Sequence, residues 1–290
     1  MKLSQPSMKK IKWLINHHGF RKQPIRTLMR VLWWEVIRIS NQPISFIYDK
    51  TLSVLLYPND GVARLVFYFG YHEPIELAFL NRYLDSELFC IDVGANIGMY
   101  SLFMAKRTRQ VIAFEPQAEV LFRFRDSINT NRLSNITTVQ KAVSNKSGKL
   151  ALNFIVDDSA KTFTTTACES KESITLVDAI SLDGYLKENP IKRLDYLKID
   201  AEGAEQDILS GAQKTLKKYR PLAQVEIATE YKHRSGQSGF DFKAYFDNLQ
   251  YTLYFINPDT LTLIQGEGWN SFAVPNEKIK AFQQKGLLIS

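Results

Sequence analysis

The stretch Phe89-Cys90-Ile91-Asp92-Val93-Gly94-Ala95-Asn96-Ile97-Gly98 decides how the rest of the chain is read. An apolar run that ends in an acid, breaks into a glycine turn and passes into an amphipathic segment reads as strand, tight loop and helix. Glycine has no Cβ and tolerates positive φ, so such a loop brings backbone N–H groups and a helix start close to a ligand. The spacing from Gly94 to Gly98 lacks the middle glycine of the dinucleotide fingerprint, where bare backbone touches a pyrophosphate. Asn96 stands in that place. A ligand without a phosphate, such as S-adenosylmethionine, fits this loop better than NAD.

Working outward, residues 97–106 predict a helix and 110–114 a second strand ending in Glu115-Pro116. A further helix runs to about residue 131, with Pro116 suited to its first turn, and 137–143 is a third strand. Strand, helix and strand in that order imply right-handed parallel crossovers and an α/β fold. Short β segments at 149–156, 163–168 and 173–177 interrupt the pattern, and Ser181-Leu182-Asp183 opens a short helix. A fourth strand, 194–199, ends in Asp200-Ala201-Glu202-Gly203 and leads into a helix through residue 216; a fifth, 222–227, ends near Glu226. After a helix over 240–249, segments 251–256 and 270–274, with a further candidate at 260–264, have no helix between them and predict an antiparallel finish. Upstream, a helix is predicted over 74–83. The apolar runs 46–57 and 62–69 on either side of Pro58-Asn59-Asp60-Gly61 predict a β-hairpin.

In open α/β sheets ligands sit beyond the carboxyl ends of the parallel strands. Asp92, Glu115, Asp200 with Glu202, and Glu226 all fall at or near that end. Each alone reads as a helix N-cap, but like charges brought to one rim repel unless a ligand or cation joins them. Glu115 lies 17 residues beyond Gly98, close to the ~20-residue offset at which an acid reaches a nucleoside ribose. A carboxylate accepts two hydrogen bonds at once, which suits vicinal hydroxyls. Asp92, under the glycine turn, suits an ammonium group. Asp200 and Glu202 are placed to orient an acceptor hydroxyl and take its proton during methyl transfer, and Gly203 lets the next helix start close by.

The chain has 290 residues, 45% hydrophobic and 23% charged, ordinary for a globular protein and against extended disorder. Its net charge of +7 is concentrated: residues 1–40 hold nine Lys or Arg against Glu35 alone, leaving 28 basic and 29 acidic residues in 41–290. Charge-based partners therefore concern the N-terminal arm only. Within it Ile25, Leu28, Met29, Leu32, Val36 and Ile39 fall at helical spacing, with Arg26, Arg30 and Arg38 on another stripe and Trp33 and Trp34 between. Packing on the domain, a peripheral membrane contact or lipid-linked substrate, and nucleic acid are all compatible with that pattern. The organisation predicted is a basic amphipathic arm over 1–45 and a single domain over 46–290 that includes the hairpin. Cys90 and Cys168 show no metal or disulfide spacing and read as small buried hydrophobes of a reducing compartment. With no long apolar stretch and no leader pattern, the expectation is a cytoplasmic, non-spanning protein.

Ile91 to Gly98, Phe114-Glu115-Pro116 and Leu197-Lys198-Ile199-Asp200-Ala201-Glu202-Gly203-Ala204-Glu205 together resemble the FkbM family of S-adenosylmethionine-dependent methyltransferases. Gly70-Tyr71-His72-Glu73-Pro74 and Asn270-Ser271-Phe272-Ala273-Val274-Pro275 are similar to that family's flanking segments, so the resemblance spans about residues 65–275. It implies a class I methyltransferase fold, a seven-stranded, mostly parallel sheet with an antiparallel last strand, and O-methylation of a sugar, glycan or natural-product hydroxyl. It assigns Asp92, Gly94, Asn96 and Gly98 to the methionine part of the cofactor, Glu115 to the ribose, Ala142 to the adenine through its backbone, and Asp200 and Glu202 to the reacting end; Glu226, at the end of the fifth strand, is a third catalytic candidate. Where relatives carry a histidine after the acid of the fifth strand, this chain has Ile227 and Ala228. His72 and His233, the body's two histidines, read as loop residues.

Two other functions compete. A non-catalytic cofactor-binding subunit is opposed by the intact set of acids. Nucleic-acid methylation is opposed by the near-neutral body and the absence of an Asn/Asp-Pro-Pro-aromatic turn after the fourth strand. Asp200 and Glu202 are hard oxygen ligands, but no complete metal-ligand set is present.

Overall fold

A short helix α1 (His18–Lys22) leads into α2 (Pro24–Ser40), which Pro24 opens in its first turn and left-handed Asn41 closes. The computed structural model describes residues 15–16, 18–70, 72–156, 161–164, 174–227 and 240–289, and divides into two units, 1–72 with 156–161 and 73–155 with 162–290. In the first unit β1 (Ile44–Asp49) and β2 (Leu52–Leu56) pair antiparallel, Ile44 opposite Leu56, and α3 (Gly61–Phe69) follows. The hairpin predicted around residues 58–61 is thus corrected: the chain turns at Lys50-Thr51, and the second apolar run is helical. Asp60 is the reason. Its carboxylate accepts the Ala63 amide at 2.8 Å, capping α3, so Asp-Gly serves as helix start. Helix α2 packs through Thr27, Trp34 and Ile37, with the Trp34 ring 5.3 Å from Phe67 and edge-on to Tyr68 at 6.4 Å.

The second unit runs α4 (Pro74–Tyr83), β3 (Phe89–Val93), α5 (Met99–Ala105), β4 (Gln110–Phe114), α6 (Ala118–Thr130) and β5 (Ile136–Val139). Next come β6 (Ala142–Val143), β7 (Gly148–Val156), β8 (Lys161–Thr164), β9 (Ile174–Ile180) and α7 (Leu182–Glu188). The chain continues with β10 (Tyr196–Ile199), α8 (Glu205–Ser210), α9 (Gln213–Tyr219), β11 (Leu222–Glu226) and α10 (Phe242–Asn248), then β12 (Tyr251–Asn257), β13 (Thr262–Gln265), β14 (Asn270–Pro275) and α11 (Ile279–Gln284). The central sheet has eight strands in the order β13-β12-β14-β11-β10-β3-β4-β5. Strands β11, β10, β3, β4 and β5 are parallel, while β14 runs antiparallel between β11 and β12. The strand beyond the seven expected is β13, on the edge beside β12.

Two predicted elements are divided. The third strand ends at Val139, and Ala142–Val143 crosses to a four-stranded sheet ordered β6-β9-β7-β8. The helix after Asp200 breaks at Gly211, where a Cβ would lie 2.2 Å from the Ser144 carbonyl oxygen. Asp183 then caps the second piece, accepting the Lys214 and Thr215 amides at 2.9 and 2.7 Å. Part of the 163–168 segment with Cys168, and the chain at 228–239 with His233, lie outside the described residues.

Candidate active site

Register explains why the acids converge. Val93 pairs with both Phe114 and Ile199, and Ile199 with Val225, so the residues one step beyond, Gly94, Glu115, Asp200 and Glu226, form a single rim. The sheet order reverses on the two sides of β3, which makes this rim the crevice where such sheets bind ligands. Gly94 (φ 83°) is where the backbone needs glycine: a Cβ there would stand 1.8 Å from the Asp200 carbonyl oxygen. The loop of β3 and the turn after β10 therefore touch main chain to main chain.

All five amides of the glycine turn are already engaged. Those of Gly94 and Ala95 reach the Phe114 carbonyl (3.1 and 2.9 Å), that of Asn96 reaches Glu115 Oε2 (3.1 Å), that of Ile97 reaches Asn96 Oδ1 (2.7 Å), and that of Gly98 reaches the Ala95 carbonyl (2.9 Å). The turn thus contributes shape in place of the N–H donors its glycines suggest. What it leaves for a ligand are acceptors. Asp92 is 1% exposed, its Oδ2 takes the Ser101 hydroxyl at 2.6 Å, and its buried Oδ1 has no hydrogen-bond partner among the described residues. Glu115 accepts the Asn96 amide on Oε2 and the Gln117 amide on Oε1 (2.9 Å), which holds its carboxylate at the tip of β4. A phosphate needs donors; this site offers acceptors to a ligand that brings ammonium and hydroxyl protons.

Behind the rim lies a row of which only Asp92 was assigned from sequence. Asp92, Lys198 and Gln224 are paired side by side across β3, β10 and β11, each at most 3% exposed. Side chains alternate across a strand, so Lys198 and Gln224 share a sheet face with Asp200 and Glu226 two positions on. The opposite face of these strands, Ile91, Val93, Leu197, Ile199, Ala223 and Val225, belongs wholly to the apolar core. Lys198 Nζ lies 2.6 Å from Asp200 Oδ2 and 4.4 Å from the Tyr100 ring centroid. Burial pulls the ammonium pKa down, but Asp200, Asp92 and Glu73 together outweigh it and hold the proton on more tightly than usual. At Asp92 burial wins over Lys198 and Ser101, and the carboxyl is raised. The Tyr100 hydroxyl donates to Glu73 and accepts from Gln224 Nε2 at 3.3 Å, Tyr196 donates to Gln224, and Asn270 Nδ2 bonds Glu73 and Glu76 at 3.2 and 3.1 Å.

Glu226 ends β11 opposite Asn270. Burial first, then the charges of Asp200, Glu202 and Glu205 and a hydrogen bond with Asp200, push its pKa from the ordinary 4.5 up to about 10. Burial and neighbouring charge thus favour a proton on Glu226, beside the Asp200 carboxyl that Lys198 pairs with. Glu202 sits on a left-handed residue (φ 53°) before Gly203 (φ 100°). Glu205 ties this turn together, its Oε1 accepting the Ala201 and Gly203 amides at 3.0 and 3.2 Å. Asp92, Gly94, Asn96, Glu115, Asp200 and Glu226 are thus brought into one connected site, Glu202 acts on it through charge, and Gly98 shapes its loop against the Phe124 ring. Ala142 stands apart, paired with Ala179 in the second sheet. Lys198, Gln224, Glu73 and Glu205 were missed. Aligning Asp92-Val-Gly, Lys198-Ile-Asp and Gln224-Val-Glu by strand end exposes the polar row; each one alone looks like an isolated polar residue in an apolar strand. Among the described residues no group of three or more His, Cys, Asp or Glu side chains is arranged to hold a metal ion.

A mostly parallel sheet that reverses at β3, takes an antiparallel strand between its last two members and gathers acids on its carboxyl rim defines the class I, Rossmann-like methyltransferase fold. The family profile of the Methyltransferase FkbM domain matches residues 92–255, more than half of the chain. The protein belongs to the FkbM family of S-adenosylmethionine-dependent methyltransferases. It is 28% identical over 143 residues to Methyltransferase 1 of Beauveria bassiana, covering 42% of this chain and 57% of that one. To Methyltransferase sdnD of Sordaria araneosa it is 28% identical over 160 residues, covering 44% and 61%. The matches span about three fifths of these curated relatives' length. A crystal structure of Methyltransferase FkbM from Methylobacillus flagellatus aligns at 15% identity and TM-score 0.42 over 88% of this chain and 60% of that one.

Proposed function

We propose that this chain transfers the methyl group of S-adenosylmethionine to a hydroxyl of a sugar, glycan or related natural product. The observation that carries this reading is the carboxyl pair at the ends of β10 and β11, with Asp200 fixed as a carboxylate by buried Lys198 and Glu226 holding a proton against it. Asp92 Oδ1 suits the cofactor's ammonium group, Glu115 its two ribose hydroxyls, and the Gly94–Gly98 turn, with Asn96 at its tip, the methionine part between them. The Lys141-Ala142 backbone remains the candidate for the adenine. When bound, the cofactor supplies a methyl group on a cationic sulfur. The protein's own task is to hold the acceptor hydroxyl at the rim and take its proton at Asp200. A carboxylate that is also ion-paired suffices as base, because an oxygen gaining a methyl group becomes a strong acid as the bond forms. Glu226 and Glu202 surround that oxygen with polar groups, and Glu226 donates to Asp200 instead of competing for the proton.

The experiment is transfer of labelled methyl from the cofactor by the full-length protein into fractionated cell extract. Label is expected in a saccharide or small-molecule fraction that survives mild alkali, as a methyl ether does and a methyl ester does not. Label confined to nucleic acid or protein would overturn the acceptor class.

A further inference from the structure

Helix α2 packs through a narrow side and leaves its long apolar stripe uncovered. Thr27, Trp34 and Ile37 are buried, while Ile25, Leu28, Met29, Leu32, Val36 and Ile39, together with Trp33, are each more than half exposed. At about 100° per residue these seven side chains occupy one continuous arc of roughly 140° centred opposite Trp34. The stripe runs the whole helix, a length of about 25 Å. A soluble surface ordinarily scatters such residues singly.

The charges beside the stripe say what covers it. Arg26, Arg30 and Trp33 form an i, i+4, i+7 row along one edge, and Arg21 and Lys22 of α1 stand exposed at its N-terminal end. Residues 21–40 hold five basic side chains against Glu35, which pairs with Arg38 at 2.9 Å. A second copy laid on this face would set two strongly basic helices together, whereas an anionic lipid surface attracts them, each basic residue raising partition about fivefold. An apolar stripe, a tryptophan at its edge and flanking arginines are the properties of a helix lying in the plane of a bilayer interface. We infer that the outer face of α2 docks on an anionic lipid surface. Among the described residues no helix is long and apolar enough to cross a membrane, so the contact is peripheral.

The test is flotation of the full-length protein with phosphatidylcholine vesicles, with and without a minority of phosphatidylglycerol. The expected result is binding to the anionic vesicles that weakens with salt, falls at least about tenfold in Leu28→Glu with Leu32→Glu, and loses its preference for anionic lipid in Arg21→Gln with Arg26→Gln. Both double variants should bind S-adenosylhomocysteine as the wild type does, which shows that they are folded. No binding by the wild type, undiminished binding by the Leu28/Leu32 variant, or a concentration-dependent dimer that the same variant abolishes would each overturn the proposal.

Discussion

The outer face of α2 and the inner face of the central strands are inverted in opposite senses. The helix exposes Ile25, Leu28, Leu32 and Ile39 to solvent, and the sheet buries Asp92, Lys198 and Gln224. Either arrangement costs free energy by itself: exposed apolar area forgoes burial, and a buried charge forgoes hydration. The sheet offsets its cost internally, because Lys198 meets Asp200, Asp92 and Glu73. Among the described residues nothing covers the outer face of the helix, and the lipid contact proposed above is what would compensate it. An inversion that is satisfied within the fold marks a preorganised site, and one that is not satisfied marks a surface awaiting a partner.

The largest effect that would break this comparison lies in the sheet. Lys198→Met removes the cation and leaves buried Asp92 and its partly exposed neighbours Asp200 and Glu73 uncompensated, at a cost of about 3–5 kcal/mol, which for a chain of this size lowers the melting temperature by roughly 10 °C. Adding Asp92→Asn should restore part of the loss. A Lys198→Met protein that melts with the wild type would show that the row is not an electrostatic unit.

A smaller and pH-dependent effect belongs to Glu226. Its folded-state pKa, about 10, lies above its ordinary 4.5, so between these values the native state keeps a proton that the unfolded chain releases. Stability from this group is therefore complete in acid and is lost as the pH rises through that window. Glu226→Gln keeps a neutral donor facing Asp200, so it should flatten the alkaline decline in melts taken from pH 5 to pH 10 and keep turnover within about tenfold of the wild type. A steeper decline than that of the wild type would contradict the assignment of the proton.

The smallest effect is predicted on the helix. Leu32→Glu should change stability by less than about 0.5 kcal/mol, whereas Trp34→Ala, two positions on, should cost about 3–5 kcal/mol. Chemical denaturation of the two variants distinguishes them, and equal losses would mean that the stripe is buried after all.

The pattern of what was legible follows the same division. Strand ends carrying acids, the glycine turn and the antiparallel finish were readable because each leaves a local signature of spacing or turn chemistry. Lys198 and Gln224 were not, because their meaning arises only when β10 and β11 are set in register with β3, over a hundred residues upstream. Asp60-Gly61 misled because the same dipeptide closes a hairpin or caps a helix, and only the Ala63 amide decides. Gly211 gave no sign that the Ser144 backbone would pass beside it. On α2 apolar residues occupy most of the circumference, so periodicity alone could not say which side packs. The size of Trp34 and its fit against Phe67 and Tyr68 settled it.

The central claim, that Asp200 takes the acceptor's proton in a site otherwise built to hold S-adenosylmethionine, is tested most directly by Asp200→Asn. Labelled methyl transfer and S-adenosylhomocysteine binding should be measured on the same preparation. Transfer should fall by about 10²- to 10⁴-fold with cofactor binding within a few-fold of the wild type. Undiminished transfer by this variant would contradict it.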